Sequence, residues 1–195
     1  MRYSFLAIVL IMFSSSQLRA QKENSFTIRA GYLHSSTHVE IANSLLIGIA
    51  LVKAKPGFYI GLAYEHLLST LLTSQIELNF QQKGQRLGNY AGDMPINLNY
   101  NYIGLTPTIG IQPMSNLSFW VGPEVNLLVG KSSSWPHSNS IEVGLVGRVR
   151  YQFRRMGITG GYFKGLTVHD RSTTKTYAFT NRNWQVGLSY LISKL

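Results

Sequence analysis

The chain has 195 residues, which suits a single domain, and only 13% of them are charged, against roughly 25% in a typical soluble domain. It contains no cysteine, which excludes disulfides, thiolate metal sites and a lipid anchor on a cysteine at a signal cleavage site. The formal net charge is +10. Because a secreted chain does not normally meet nucleic acid, this excess favours acidic lipid or lipopolysaccharide as the partner and speaks against nucleic acid.

The N-terminal segment has the pattern of a secretory signal peptide. Arg2 supplies the positive start, Phe5–Phe13 forms a short apolar core, and Ala20 is a small residue suited to cleavage on its C-terminal side. The apolar run is too short for the alternative, a helix that spans a membrane. The sequence therefore predicts a signal peptide over residues 1–20 and one mature domain over residues 21–195.

Alternating apolar and polar residues recur along the mature chain, which is the pattern of β-strands with two different faces. The clearest run, Ile141–Phe153, is long for a strand of a soluble domain and suits a tilted strand that crosses a bilayer. The pattern does not assign the faces of the seventh run. In chain order the predicted strands are Phe26–Leu33, Phe58–Glu65, Gln75–Gln81, Tyr102–Ile111, Leu117–Leu127, Ile141–Phe153, Met156–Leu166 and Trp184–Ile192.

The connections between these runs alternate in length. The short ones are Ser69–Thr70, Pro113–Ser115 and Arg154–Arg155. The longer, mostly polar ones are Ser35–Pro56, Gly84–Asn99, Lys131–Asn139 and Thr167–Arg182. Short turns at one end, longer loops at the other and an even number of strands are the geometry of an outer-membrane barrel. The sequence therefore predicts an all-β fold, an eight-stranded antiparallel up-and-down transmembrane β-barrel over residues 21–195, in the cell outer membrane.

Two features fit this pattern less simply. Leu45–Val52 is apolar on both faces and could be a ninth strand, a short helix or an extension of the first hairpin. We assign it to the first outer loop, because a ninth strand would break the even count. Pro107 and Pro123 fall within predicted strands, where proline cannot donate a hydrogen bond to the ladder. We expect a bulge or a locally unpaired site at each of them.

The composition of the polar face decides which side of the wall it occupies. A water-exposed face would be rich in Lys and Glu, whereas this one holds mainly Gly, Ser, Thr, Gln and Asn, with a few charges of both signs near mid-strand. Such charges can pair inside a narrow lumen. We therefore expect the apolar face to meet lipid, with a soluble lipocalin-like barrel as the alternative. The expected lumen charge network is Arg29, Glu65, Glu77, Glu124, Glu142, Arg148 and Arg150.

The interior of an eight-stranded barrel is about wide enough for its own side chains. We expect Trp120 and Tyr102 to help fill it, and Glu124 and Arg148 to lie within a residue or two of facing each other across neighbouring strands. The remaining aromatic side chains are interpreted as interface girdle and lipid contact. That aromatic set is Tyr100, Tyr102, Tyr151, Phe153, Trp184 and Tyr190, so that Tyr102 carries both interpretations.

Two patterns invite a chemical interpretation that their surroundings do not support. His34 and His38 could form a metal pair, but no third ligand lies nearby, and we interpret them as residues of a loop rim. His137–Ser138 with Glu142 close by could suggest acyl transfer. Neighbouring residues on a loop rich in Ser and Asn do not supply the geometry of nucleophile, base and orienting group. The sequence predicts no catalytic, cofactor-binding or metal-binding residue.

Four short motifs together resemble the PorT-like family of small outer-membrane β-barrels from Bacteroidetes-type Gram-negative bacteria. The motifs are Pro56–Leu62 (PGFYIGL), Glu77–Gly84 (ELNFQQKG), Tyr102–Pro107 (YIGLTP), and Gly122–Pro123 leading into Leu127–Leu128. The resemblance runs from about Phe26 to Leu195. It implies an eight-stranded outer-membrane barrel, the two prolines as family features and, for some members, a link to protein secretion. The chain departs from outer-membrane barrels in general by ending Ser193–Leu195, without the terminal aromatic residue that the assembly machinery reads.

These observations favour a non-catalytic outer-membrane barrel with a structural or interaction role and a lumen filled by side chains. The alternatives are an accessory barrel of a protein secretion apparatus and a lipid-modifying barrel enzyme. The expected partners are outer-membrane lipid, lipopolysaccharide, the barrel assembly machinery, and secretion or envelope proteins. Basic residues assigned to the outer loops are expected to meet lipopolysaccharide phosphates, and they are Lys83, Arg86, Lys131, Arg171, Lys175 and Arg182.

Overall fold

The computed structural model describes residues 24–41, 51–88, 96–131, 139–168, 170–171 and 177–194. Within these ranges nearly every residue lies in a β-strand. The strands are β1 (Ser25–Ile41), β2 (Leu51–Leu67), β3 (Leu72–Gly88), β4 (Ile96–Met114), β5 (Leu117–Lys131), β6 (Ile141–Phe153), β7 (Met156–Gly165), β8 (Asp170–Arg171) and β9 (Tyr177–Lys194). No helix in the described ranges is long and apolar enough to cross a membrane.

The sheet closes on itself. From β1 to β7 each strand pairs antiparallel with the next, β7 pairs with β9, and β9 pairs back with β1. Eight long strands therefore form a closed barrel, and the two-residue β8 adds a short pairing to the outer part of β9. Within the described residues, closure leaves the central part of the barrel wall without an open edge that could pair with another chain, while β1 and β2 run on beyond their last pair, Ser35 with Lys55. The predicted eight-stranded up-and-down fold is confirmed.

The strands extend further than the sequence pattern indicates, so the predicted long loops are too long. Backbone pairing needs no apolar face, and it continues past the point where apolar alternation ends. Of the apolar segment Leu45–Val52, assigned to the first outer loop, the last two residues belong to β2 and the others lie outside the described residues. The stretches that move from predicted loop to strand are Ser35–Ile41, Leu51–Pro56, Gly84–Gly88, Ile96–Asn99, Lys131, Asp170–Arg171 and Tyr177–Arg182.

The short turns lie at the same end of the barrel as Ser25 and Lys194, the first and last residues of the barrel strands. Ser25 pairs with Lys194 at this end, and Arg154–Arg155 forms the two-residue turn between β6 and β7. Arg154 has a φ of 55°, the left-handed conformation that a tight hairpin turn requires of its first residue. The predicted turn Pro113–Ser115 is displaced slightly, because β4 continues to Met114. The longer connections are all at the opposite end.

Pro107 and Pro123 stand opposite each other where the ladder between β4 and β5 is interrupted. Leu105 pairs with Val125 and Ile109 pairs with Val121, and no pair is formed between these two points. Two prolines that face each other leave no donor on either strand, which explains the gap. The expected unpaired site is therefore present, and both prolines share it.

The apolar faces of the strands point outward around the whole barrel. On β6, Leu145 is 50% exposed, whereas its neighbour Val146 points inward and is 1% exposed. The same alternation exposes large apolar side chains on every long strand, among them Ile60, Leu78, Ile109, Val125 and Leu188. An apolar surface of this extent is far larger than a soluble monomer exposes and matches the lipid-facing band of a transmembrane barrel.

Candidate functional site

Every charged residue predicted for the polar face lies buried inside the barrel. Successive side chains alternate between the two faces, apart from a register shift between Ala54 and Tyr59 on β2 that turns Lys53 and Lys55 outward. Each inward position therefore contributes one side chain to a stack of polar groups along the lumen. We call this stack the lumen charge network. Its members named from sequence are Arg29 on β1, Glu65 on β2, Glu77 on β3, Glu124 on β5, and Glu142, Arg148 and Arg150 on β6.

The centre of the network is a shared carboxylate. One oxygen of Glu77 accepts from Arg29 at 2.5 Å and from Arg148 at 3.0 Å. Arg148 also reaches Glu124 at 3.3 Å, so it joins two carboxylates on different strands. The guanidinium of Arg29 lies 5.6 Å from the ring centre of Tyr59. Charge-assisted hydrogen bonds of this kind offset the cost of taking the ions out of water.

Towards the end with the short turns, Arg150 and Glu65 form a second ion pair. One nitrogen of Arg150 donates to both oxygens of Glu65, at 2.9 and 3.2 Å. The Arg150 guanidinium also lies 4.7 Å from the ring centre of Trp120. The indole N–H of Trp120 donates to the hydroxyl of Thr73 at 2.9 Å. Trp120 thus fills the lumen and closes this end of the network.

Towards the end with the long connections, Lys83 completes the network. Its prediction as an outer-loop residue that meets lipopolysaccharide is wrong, because β3 continues through it and turns it inward. The Lys83 ammonium donates to Glu142 at 2.5 Å and lies 3.9 Å from Glu124. It also sits over the rings of Phe163 and Tyr102, at 4.0 and 5.1 Å from their centres. Its side chain has no access to solvent.

The sequence carried a signal that would have found Lys83. Glu77, Asn79, Gln81 and Lys83 occupy every second position of one polar run, and all are buried on the inward face. With Lys83 included, the described lumen holds four carboxylates and four cations. The network is therefore neutral within the described residues. An ordered series of paired charges is what a low-dielectric interior requires.

Neutral side chains bind most of the remaining carboxylate oxygens. Gln81 and Asn126 each donate to Glu124 at 2.9 Å, and Thr106 donates to it at 3.2 Å. Asn126 and Asn181 donate to Glu142 at 3.1 and 2.5 Å. The amides act as spacers that link the ion pairs by hydrogen bonds. Towards the end with the long connections, Leu98, Tyr100 and Tyr102 add a small apolar cluster to the interior.

Glycine provides the space for the long side chains. A Cβ at Gly61 would come within 2.9 Å of a Glu77 oxygen, and one at Gly161 within 3.3 Å of Cγ of Arg148. A cavity between Arg148, Arg150 and Trp120 leaves about 10 Å³, roughly the room for one water molecule. The bridge from Arg148 to Glu77 and Glu124 occupies the lumen at its centre.

Glu124 and Arg148 make contact without facing each other. The residue opposite Arg148 is Trp120, and the residue opposite Glu124 is Gly144, four positions from Arg148. The expected offset of a residue or two is therefore wrong. Strands in a small barrel are tilted, and long side chains can meet along a diagonal inside it. Pairing across strands that are not neighbours, such as Arg148 with Glu77, follows from the same curvature.

The aromatic side chains divide between the two faces. Trp184, Phe153 and Tyr151 are more than half exposed on the outer surface, and Tyr190 is exposed there as well. Tyr100 and Tyr102 are buried in the lumen. Their assignment to the interface girdle is wrong, because both lie on the inward positions of β4, whereas the expectation that Tyr102 fills the lumen agrees with its position.

The other basic residues expected at lipopolysaccharide occupy different settings. Arg86 and Lys131 are exposed on β3 and β5. Arg182 is partly buried on the outer face of β9, where its backbone carbonyl accepts from Ser36 at 3.4 Å. Arg171 belongs to β8, but its side chain lies outside the described set, and Lys175 lies outside it altogether.

Neither chemical pattern noted in the sequence gains support. His34 and His38 lie within β1 rather than on a loop rim, and the described residues contain no group of three metal-binding side chains. The Tyr32 hydroxyl lies 3.2 Å from Nδ1 of His34. His137–Ser138 lies outside the described residues, while Glu142 is held in the lumen by Lys83.

Comparisons with known proteins show the fold. No protein-family model and no curated protein matches the sequence. Among solved structures, the outer membrane protein OprG from Pseudomonas aeruginosa matches with a TM-score of 0.55 at 10% identity, over 88% of this chain and 97% of that one. Neisserial surface protein A (NspA) matches with a TM-score of 0.54 at 14% identity, over 86% and 97%. At this identity the likeness concerns architecture alone.

The fold and the apolar band together give the location. The architecture is that of small eight-stranded outer-membrane barrels, and the outward faces carry the apolar side chains that only a bilayer can cover. The protein is an outer-membrane β-barrel.

Proposed function

We propose that this barrel has a structural or interaction role, catalyses no reaction and conducts no solute. The observation that carries the proposal is the neutral, hydrogen-bonded lumen charge network described above. Arg148 bridges Glu77 and Glu124 across the middle of the barrel, so a solute that crossed the lumen would have to break buried ion pairs. Each broken pair would leave an uncompensated charge, at a typical cost of about 3–5 kcal/mol.

A planar-bilayer measurement tests the filled lumen. The purified wild-type barrel should show no large, steady conductance, because Arg148 and its two carboxylates cross the lumen and the cavity beside Trp120 has room for about one water molecule. A double variant, Trp120→Gly with Arg150→Gly, removes two large inward side chains and serves as the positive control, in which added conductance is expected. A stable, wide channel in the wild type would contradict the proposal and point to solute transport.

The resemblance to PorT-like barrels supports a second, more specific proposal, in which this barrel is an accessory component of a protein secretion apparatus. Two of the motifs contain Pro107 and Pro123, and these two prolines stand opposite each other at one interruption of the β4–β5 ladder. A shared structural device of this kind would account for both motifs. The test is to delete the gene that encodes this barrel and to measure the secreted proteins. Loss of secreted cargo indicates an accessory role in secretion, and unchanged secretion indicates a structural role.

Lipid on the outer surface is the partner that the described surface supports best. Arg86 and Lys131 are exposed on strands that rise beyond the apolar band, and cations at this level attract the phosphates of outer-leaflet lipid. Lys83 does not contribute to lipid binding, because it is paired with Glu142 inside the lumen. Lipopolysaccharide binding at the outer surface is accordingly part of the proposed role.

A further inference from the structure

A compact basic cluster lies on the outer wall formed by β2, β3 and β4. Lys53 and Arg86 are direct cross-strand partners, and both are exposed. Lys55 lies beside them and donates a hydrogen bond to the side-chain oxygen of Asn99 on β4. It crosses β3 at Gly84, where a Cβ would come within 3.2 Å of Cδ of Lys55. Glycine at this position lets the lysine lie flat against the wall.

The charges in this cluster have no neutralising carboxylate among the described residues. Within the described part of the chain, neither Lys53 nor Arg86 takes part in an ion pair. The described carboxylates near mid-barrel are all turned into the lumen, where they serve other cations. Like charges directly opposite each other destabilise a sheet, and an external anion between Lys53 and Arg86 would relieve that repulsion.

The cluster begins directly above the edge of the apolar band. Phe58 and Phe80 form an aromatic pair, with ring centres 5.8 Å apart, at the last large apolar positions described on the outer faces of β2 and β3. Lys55 lies three residues beyond Phe58, about 10 Å along a strand and, at the usual tilt, about 8 Å higher. The polar headgroup layer is roughly 5–8 Å thick on each side of a bilayer. The ammonium of Lys55 is thus at the level of lipid phosphates.

Lys53 and Arg86 lie higher than an ordinary phospholipid reaches. They are five and six residues beyond Phe58 and Phe80, which is roughly 13–15 Å above the band at the same rise and tilt. With their side chains extended outward at this height, both residues meet an anion on a lipid with a tall headgroup, whereas a phospholipid phosphate is reached only if the side chains bend back toward the band. Cations at two successive levels therefore favour a glycolipid that carries phosphate on its sugars.

The surface between the cations is suited to sugar. The outward positions of β4 beside the cluster hold Asn97, Asn99 and Asn101, and Gln82 on β3 donates to Asn101 at 3.3 Å. Side-chain amides can both donate to and accept from sugar hydroxyl groups. These amides lie opposite Arg86, Gly84 and Gln82, so they cover the same range of heights above the apolar band as the cations.

We propose that Lys53, Lys55 and Arg86 form a binding site for a phosphorylated glycolipid of the outer leaflet. The proposal rests on the lipid-binding role given above and assigns it to one wall. Lys55 meets the phosphate nearest the acyl chains, and Lys53 with Arg86 meets the anionic groups further out. The amide row of β4 contacts the sugars between them.

Native mass spectrometry of the full mature barrel in detergent tests this site, with bisphosphorylated lipid A as the probe. The Lys53→Gln/Arg86→Gln variant should bind the probe at least about tenfold more weakly than wild type, because each of the two lost cations contributes to the free energy of binding an anionic lipid. Arg154→Gln/Arg155→Gln is the matched control, since it removes two exposed cations at the opposite end of the barrel, and it should bind like wild type. Unchanged heat-modifiable mobility on gels shows that both variants are folded.

Three comparison ligands identify the chemistry. Dephosphorylated lipid A should bind weakly, phosphatidylglycerol should bind more weakly than lipid A, and inorganic phosphate should not compete. Equal binding of the Lys53→Gln/Arg86→Gln variant and wild type would overturn the site. Equal binding of phosphatidylglycerol and lipid A would overturn the glycolipid assignment, and effective competition by phosphate would indicate a simple anion site. The variants leave the lumen untouched, so bilayer conductance reports on the filled lumen independently of these results.

Discussion

At the scale of single residues, the lumen shows how a narrow interior can hold many charges. Arg148 contacts Glu77 and Glu124, and Lys83 contacts Glu142, so each of these cations has a carboxylate within hydrogen-bonding distance. A carboxylate that loses its cation stays buried, since the strands around it are fixed by closure of the barrel. Removal of one charge is therefore costlier than removal of a matched pair.

Arg148→Ala should lower the urea midpoint of unfolding, because it leaves Glu77 with one cation and Glu124 with Lys83 at 3.9 Å. The expected loss of stability is up to about 3–5 kcal/mol and smaller where water enters the cavity. Glu124→Ala added to Arg148→Ala should cost little more, so the double variant is far from additive.

Arg155→Ala is the control for this series, because Arg155 is exposed in the β6–β7 turn and its loss should change stability by a few tenths of a kcal/mol. Additive losses in the double variant would show that Glu124 and Arg148 act independently, contrary to their 3.3 Å contact.

At the scale of a strand, β6 shows the arrangement of side chains that the other long strands share. Its outward residues face lipid and its inward residues face the lumen, with successive side chains on opposite sides. A shift of one residue would exchange the two environments for the entire strand, so the alternation and the closed ladder fix the register together.

Leu145→Arg should impair assembly far more than Val146→Gln. Leu145 faces lipid near the middle of β6, where arginine costs roughly 2–4 kcal/mol. Val146 faces the lumen, where polar side chains surround it. The packing cost of the larger glutamine there is expected to be smaller than the cost of arginine in lipid. The readout is heat-modifiable gel mobility of both variants in membranes. Equal tolerance, or the reverse order, would mean that the inner and outer faces are exchanged.

At the scale of the whole molecule, the barrel presents three zones to its surroundings. An apolar band meets the bilayer, a neutral lumen charge network fills the interior, and strands that extend beyond the band carry exposed cations at the end with the long connections. Both described chain ends lie at the opposite end with the short turns. This polarity is that of an outer-membrane barrel with its ends in the periplasm.

Export to that membrane requires a targeting segment, and we expect the mature protein to begin at Gln21. The positive start at Arg2, the short apolar run and the small residue Ala20 motivate this expectation. N-terminal sequencing of the protein purified from membranes measures it. Recovery of a chain that still carries Met1 would refute the cleavage.

The sequence by itself determined the strand pattern, the eight-strand count, the outward direction of the apolar faces and the inward direction of the charged residues. Each depends on the two-residue period of a strand, which is a local property. The sequence also placed the two prolines correctly as a defect in pairing, because proline lacks a donor wherever it stands.

Only the tertiary structure decided how far the strands run, which charges pair and what Lys83 does. The strand ends next to the long connections carry polar residues on both faces, so they show no apolar alternation. Backbone pairing there cannot be recognised from the sequence pattern. Partners such as Arg148 and Glu77 lie 71 positions apart and meet only because the wall curves into a closed ring. The outer-wall cluster of Lys53, Lys55 and Arg86 likewise arises from the register between strands. That register is set by the closed ladder and is not contained in any single stretch of sequence.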